Sequence, residues 1–327
     1  MFVVLGWDGL DPELVDQWRM DFGEAAKSIE TIVNPAIGGP HTLEVWPAII
    51  TGHTPKTLGI QVNRSESGGV TWEHDFLNLA GSAADLVVPE RIRTRLGHWL
   101  RNRGVEVQTF DAAYYAEHGF QTIFDDRRAR AITVPNYNDP GGKDQEWAAV
   151  LTERTDESDQ FDTAVGQPAL DELFYRNFFE RLGMVQAALH REYDLVFVRF
   201  GLLDAIGHIA PAVEEPGWQR RHYALAERVT DWVREQLVSG DTCVCLSDHG
   251  LQNGSHTDEA CIAGPSDLIR PVDSVLDIKG LVDEHAPTSD PVSPVPLRDV
   301  VRFDAEVAPR ASPQSVEEEL RALGYID

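Results

Sequence analysis

Three aspartates and three histidines follow short apolar runs in this sequence. Asp8 follows Phe2 to Leu5, Asp204 and His208 follow Leu195 to Phe200, and Asp248-His249 follows Thr242 to Leu246, with His256 seven residues later. Carboxylate and imidazole donors without a thiolate suit Zn, Mn or Fe. Six such donors exceed what one catalytic ion with open positions takes, so two divalent ions are the economical reading. Each element also has a plainer reading. Asp8 could cap a turn or bind a ribose, Asp204 and His208 could form an ion pair on one helix face, and Asp248-His249 before Gly250 could cap a turn. Their joint occurrence at successive strand ends is what favours metal.

The elements that must position these donors alternate in type. Phe2 to Leu5, Val105 to Phe110, Ala131 to Val134, Leu195 to Phe200 and Thr242 to Leu246 read as strands. Between them, Pro89 to Arg103, Pro168 to His190 and Glu215 to Val238 read as helices. This alternation predicts an α/β fold, with a mostly parallel central sheet and helices on both faces. In such sheets ligands collect outside the carboxyl ends of the strands, where the six donors fall. Residues 1–327 are expected to form a single domain with small insertion segments. Residues 139–172 hold ten acids against Lys143 and Arg154, the pattern of an acidic insertion or lid, or of a plain surface loop. Residues 283–327 read as a C-terminal loop, with Pro287, Pro291, Pro294 and Pro296, then a short helix from Ser312 to Leu323 with Ser312 as N-cap.

Several of these segments resemble one family. Gly6-Trp7-Asp8-Gly9, Asp204-Ala205-Ile206-Gly207-His208 and Ser247-Asp248-His249-Gly250 are similar to motifs of the type I phosphodiesterase and nucleotide pyrophosphatase group of the alkaline phosphatase superfamily. Gly254-Ser255-His256 stands where that group has its last histidine, in a short loop. Thr51-Gly52, Pro55 and Gly59-Ile60 resemble another of its segments, and its offsets place a threonine nucleophile at Thr42 and a phosphate-binding asparagine at Asn63. The resemblance runs from residue 1 to about residue 265 and implies an alkaline phosphatase-like fold. It also implies a two-metal site in which Asp8, Thr42, Asp248 and His249 hold one ion and Asp204, His208 and His256 the other, the metals being Zn or Mn.

The chemistry implied is cleavage of a phosphodiester or pyrophosphate bond through a covalent phospho-threonine. A threonine hydroxyl is a poor nucleophile near neutral pH, and coordination lowers its pKa. A helix beginning at Thr42 adds amide donors and the positive dipole end, and Asn63 could donate to a non-bridging oxygen. Phosphomonoesterase and phosphonoacetate hydrolase activities are open to the same site, and so is a non-catalytic binding protein that keeps the fold. A sulfatase is disfavoured, since no cysteine lies in a Cys/Ser-X-Pro-X-Arg setting. His41 and Arg64 flank the two key positions and are candidates for substrate contacts, against loop solvation as the default. Departures from the family pattern lie at Leu43-Glu44 and Trp46-Pro47. Pro47 cannot donate to the Leu43 carbonyl and threatens a kink, while Glu44 could either repel an anionic leaving group or serve as a first-turn acid favoured by the helix dipole. His53, His74, His98, His118, His190, His222 and His285 read as structural or surface residues.

Composition bounds the rest. The 327 residues are 42% hydrophobic, with 8 Trp and 13 Phe, enough for a sizeable core. Asp and Glu number 54 against 28 Lys and Arg, and only Lys27, Lys56, Lys143 and Lys279 are lysines, giving a net charge of −26. An acidic surface nearly stripped of lysine suits concentrated salt, where self-repulsion is screened. It disfavours nucleic acid as a partner. Met1 to Leu5 is too short for a signal sequence and no apolar stretch reaches a membrane span, so a cytoplasmic protein without membrane association is expected; the family resemblance implies a small phosphorylated substrate, such as a nucleotide. Cys243, Cys245 and Cys261 read as buried thiols.

Overall fold

The computed structural model describes residues 1–36, 38–61, 110–139, 163–213, 215–298 and 321. Strand β1 (Phe2–Trp7, FVVLGW) is buried at every residue. A strand apolar on both sides must be covered on both. It lies inside a six-stranded sheet with β2 (Ala25–Glu30), β3 (Ala129–Ile132), β4 (Leu195–Phe200), β5 (Thr242–Leu246) and β8 (Glu259–Gly264), in the order β2-β8-β5-β1-β4-β3. Strands β5, β1, β4 and β3 run parallel, whereas β8 is antiparallel to both β5 and β2. A two-stranded hairpin, β6 (Gly250–Gln252) with β7 (Ser255–Thr257), stands apart from it.

The helices among the described residues are α1 (Pro12–Trp18), α2 (Thr42–Thr51), α3 (Pro55–Leu58), α4 (Ala112–Glu117), α5 (Thr163–Leu189), α6 (Leu202–Ile209), α7 (Trp218–Glu235), α8 (Ser266–Ile269) and α9 (Ile278–His285). Val3, Leu5 and Trp7 of β1 pack with Phe178 and Val185 of α5, Ile206 of α6 and Val233 of α7. Phe2 and Val4 pack on the opposite face with Val45 and Ile49 of α2 and Val282 of α9. The fold is therefore α/β, a mostly parallel sheet with helices on both faces. The three cysteines are free and buried. Among the described residues no helix is long and apolar enough to cross a membrane.

Several elements differ from the sequence expectations. The antiparallel strands β2 and β8 were not anticipated. β3 covers Ala129–Ile132 rather than Ala131 to Val134, because Thr133 takes a positive φ of 53° and ends the strand. α5 starts at Thr163, with Pro168 inside it; the amide that Pro168 lacks removes one intrahelical bond without ending the helix. α7 covers Trp218–Glu235 rather than Glu215 to Val238, since Gly217 with φ 75° sets its start. α9 extends to His285, past the expected loop start at Asp283. The expected helix Pro89 to Arg103 lies outside the described residues. So do the strand Val105 to Phe110 apart from Phe110, and the helix Ser312 to Leu323 apart from Arg321. Of residues 139–172, positions 140–162 also lie outside them.

Candidate metal centre

Each donor is placed by a strand end or by the element that follows it. Asp8 lies in the turn directly after β1, and Gly9 with φ 76° carries the chain away from it. The hydroxyl of Tyr223 donates to the Gly9 carbonyl at 3.2 Å and fixes that turn. Asp204 and His208 sit one turn apart on α6, on the same helix face. Asp248-His249 follows β5, and the Ser247 hydroxyl anchors the loop by donating to the Leu10 carbonyl and accepting from the Cys261 amide, both at 2.8 Å. His256 lies on β7 rather than in a loop. Its hairpin turns at Asn253-Gly254, both with positive φ, which is what a two-residue hairpin connection requires. Asp11 holds the hairpin by accepting from Gln252 Nε2 at 2.9 Å.

Helix α2 delivers Thr42 at its first position. His41 is its N-cap, with Nδ1 accepting from the Leu43 amide at 3.2 Å and its carbonyl taking the Glu44 amide at 2.8 Å. This leaves the Thr42 amide and the helix dipole as what the first turn can offer an anion. Pro47 does not interrupt the helix. The Leu43 carbonyl, deprived of the Pro47 donor, accepts instead from Asn136 Nδ2 at 2.8 Å. Glu44 is the acid of the first turn of α2, and it is buried inside the protein, where it accepts from Asn34 Nδ2 at 2.8 Å.

The six aspartate and histidine donors and Thr42 converge. His249 Nε2 stands 3.2 Å from Thr42 Oγ1, 3.3 Å from Asp248 Oδ2 and 3.4 Å from Asp8 Oδ1. Asp204 Oδ1 lies 3.2 Å from His208 Nε2 and 3.4 Å from His256 Nε2, and those two nitrogens are 3.0 Å apart. The two sets are contiguous, because the His249 and His256 rings stack with centroids 3.8 Å apart. His249 groups with Asp8 and Asp248, and equally with Asp204 and His256. All three imidazoles place Nδ1 against a backbone carbonyl: His208 on Gly254 at 3.0 Å, His249 on Gly250 at 3.2 Å and His256 on Pro40 at 3.0 Å. That arrangement assigns the proton to Nδ1 and turns the Nε2 lone pairs inward, the presentation a metal-ligating histidine needs.

The charges of the cluster fit divalent cations. Asp8 Oδ1, Asp204 Oδ1 and both Asp248 carboxylate oxygens are buried without a hydrogen bond, and burying such groups uncompensated is costly. Burial, then the neighbouring Asp8 charge, pushes the Asp248 carboxyl well above the usual range. Burial brings His249 down to about 4, against the pull of Asp8. For Asp204 burial acts upward, but the adjacent His208 and His256 imidazoles outweigh it and hold the carboxyl well below its ordinary value. An oxygen and imidazole donor set of this kind could hold Zn or Mn.

Two functional neighbours escaped the sequence reading. Arg199, buried on β4, donates to Asp8 Oδ2 from Nε at 2.7 Å and from Nη2, and Trp46 Nε1 donates to the same oxygen at 3.2 Å. Asp8 is thereby clamped through Oδ2, and Oδ1 is turned toward His249. The signal was present as one charge inside the apolar run LVFVRF of a fully buried strand. Asn63 and Arg64 lie outside the described residues. His41, a candidate for substrate contact, is the helix cap described above, and burial lowers its pKa. Among the remaining histidines, His222 is buried, with Nδ1 against the Trp218 carbonyl at 2.9 Å, and His118 sets Nδ1 against the Tyr114 carbonyl at 2.8 Å.

No family model and no curated protein matches the chain. Among solved structures it is similar to the PH0037 protein from Pyrococcus horikoshii, at 11% identity and a TM-score of 0.37, over 88% of this chain and 98% of that one. It is also similar to the alkaline phosphatase from the Antarctic bacterium TAB5, at 8% identity and a TM-score of 0.42 over the same shares of the two chains. A mutant of that phosphatase with Mg bound is similar at 8% identity and a TM-score of 0.37, again over 88% and 98%.

Proposed function

We propose that this chain is a two-metal hydrolase of the alkaline phosphatase superfamily, cleaving phosphodiester or pyrophosphate bonds through a covalent phospho-threonine on Thr42. The observation that carries the reading is the position of the Thr42 hydroxyl. It lies 3.2 Å from His249 Nε2, at a helix start, beside a buried cluster with four carboxylate oxygens that accept no hydrogen bond. Asp8, Thr42, Asp248 and His249 would hold one ion and Asp204, His208 and His256 the other, with His249 close enough to both sets to contribute to either. When bound, divalent ions lower the pKa of a hydroxyl or water, orient the substrate and offset charge on attacking and leaving oxygens.

The chain's own groups supply the rest. Thr42 Oγ1 attacks phosphorus, the bond to the leaving oxygen breaks, and the phosphoryl group rests on Thr42 until water displaces it and restores the hydroxyl. The Thr42 amide and the α2 dipole face the negative charge that builds on the non-bridging oxygens. Asn63 is assigned to donate to one of those oxygens, and His41 and Arg64 to contact the substrate. Arg199 and Trp46 keep Asp8 in place and act through it. The acidic, lysine-poor surface supports work in concentrated salt.

A panel of diesters, monoesters and phosphonates, assayed in high salt with Mn or Zn, tests the reading. Turnover is expected to be greatest with a diester or pyrophosphate. Greater turnover of monoesters or phosphonates would move the activity to a phosphatase or phosphonate hydrolase. Two bound ions with no turnover of any class would favour a binding protein.

A further inference from the structure

The sheet brings the end of β3 beside the end of β4, since Ile132 pairs with Val198 and Thr133 then falls next to Arg199. There the Thr133 hydroxyl donates to the Arg199 carbonyl at 2.8 Å. Thr133 holds a φ of 53°, a conformation that is costly for a β-branched residue and persists only where its surroundings enforce it. Three residues on, Asn136 repeats it at φ 54°. The turn is braced from within and from outside. Asn138 accepts from the Val134 amide and donates to the Ala131 carbonyl, both at 2.8 Å, and the hydroxyl of buried Tyr115 donates to the Asn136 carbonyl at 2.7 Å.

Two bonds from this turn reach different parts of the metal centre. Thr133 holds the backbone of Arg199, whose side chain clamps Asp8. Buried Asn136 gives Nδ2 to the carbonyl of Leu43, the residue after Thr42, at 2.8 Å. Pro47 brings no amide to that carbonyl, so Asn136 supplies from outside a bond that an ordinary helix makes for itself. Thr42 and Asp8 are assigned to the same ion, yet one starts α2 and the other follows β1. The turn after β3 ties both to one rigid piece of backbone.

We propose that residues 133–138 form a bracket that sets Thr42 and Asp8 relative to one another, with Asn136 as the positioning residue for the nucleophile. Asn136 acts through Leu43, by fixing the first turn of α2 and with it the line along which the Thr42 hydroxyl meets phosphorus. Attack in line tolerates little displacement of the attacking oxygen. The inference rests on the phospho-threonine reading and deepens it.

A double-mutant cycle tests it. Asn136→Gly tolerates the positive φ and keeps the carbonyl that Tyr115 holds, but deletes the donor; Pro47→Ala gives α2 its own amide for the Leu43 carbonyl. With a diester and the Mn-loaded full chain, Asn136→Gly is expected to lower kcat roughly tenfold to a hundredfold, the range that a shift of up to about 1 Å in a reacting group costs. KM and metal content are expected to stay as in the parent. In the Pro47→Ala background the same change is expected to have little effect, because the helix then supplies the bond. Hydrogen exchange of the Glu44 and Val45 amides, which close the first turn onto the His41 carbonyl, is expected to quicken in Asn136→Gly and to slow again in the double variant. Should Asn136→Gly fail to fold, Thr133→Ser and Thr133→Val decide: the bracket requires that turnover survive in the first, which keeps the hydroxyl, and fall in the second, and equal rates would overturn it. An equal loss of kcat in both backgrounds, or no loss in either while the parent carries a phosphoryl group on Thr42, would overturn the bracket and leave the phospho-threonine reading standing. A parent that turns over diesters with no adduct on Thr42 would overturn both.

Discussion

Asp8 shows what one residue's surroundings decide. Both of its oxygens are buried, but Arg199 and Trp46 hold one while the other accepts no hydrogen bond. Removing one partner of a buried ion pair strands the other, typically at about 3–5 kcal/mol. Arg199→Met is therefore expected to lower stability by about that amount in urea melts. Adding Asp8→Asn to it is expected to recover part of the loss, since the stranded charge is then gone. An Arg199→Met protein as stable as the parent would contradict the clamp. His208 and His256 share Asp204 Oδ1 and lie 3.0 Å apart at Nε2, so replacing both by Ala is expected to remove one of two bound ions. Elemental analysis reads this directly, and an unchanged count would refute the shared site. The six donors were legible because each follows an apolar run or a short motif. Arg199 was not singled out, because a charge in a strand becomes meaningful only once its buried partner is known.

At the scale of elements, the centre depends on how closely β1 and α6 approach. Gly9 has φ 76°, and a Cβ there would stand 2.7 Å from Asp204 Cα. Gly9→Ala is expected to cost about 1–2 kcal/mol from backbone conformation alone, and also to push α6 outward. Metal titration is expected to show weakened binding at the Asp204 site beyond what the melting loss explains, and unaltered affinity would count against this coupling. The core strands β1, β4 and β5 and the helix α7 were readable from apolar runs and periodicity, apart from their ends. β2 and β8 were not, because AAKSIE has Ile29 as its one large apolar residue and EACIAG is small and mixed, so neither gives a clear hydrophobic period in sequence. The hairpin carrying His256 was visible only as a Gly-Ser-His tripeptide; its Asn253-Gly254 turn was the overlooked signal. The continuity of α2 through Pro47 could not be read locally, because the donor that replaces the missing amide, Asn136, is 93 residues away from Leu43 in sequence.

The whole molecule carries a net charge of −26, and at low ionic strength such self-repulsion weakens the compact state. Melting temperature is therefore expected to rise steadily with KCl into the multimolar range. A flat or falling series would remove the salt argument and leave the candidate metal site untouched. The α/β class was legible because strand and helix patterns alternate along the chain. That both faces of β1 are filled, by α5, α6 and α7 on one side and α2 and α9 on the other, follows from a strand with no polar face.

The proposed hydrolase activity depends on a covalent bond to Thr42. Acid quenching during turnover of a diester, followed by peptide mass spectrometry, is expected to find a phosphoryl or nucleotidyl group on the peptide that contains Thr42. Thr42→Ala is expected to lose the adduct and several orders of magnitude of rate, and Thr42→Ser to keep part of both. A Thr42→Ala protein that turns over the same diester at the parental rate, with no adduct in the parent, would contradict the account and assign attack to water instead.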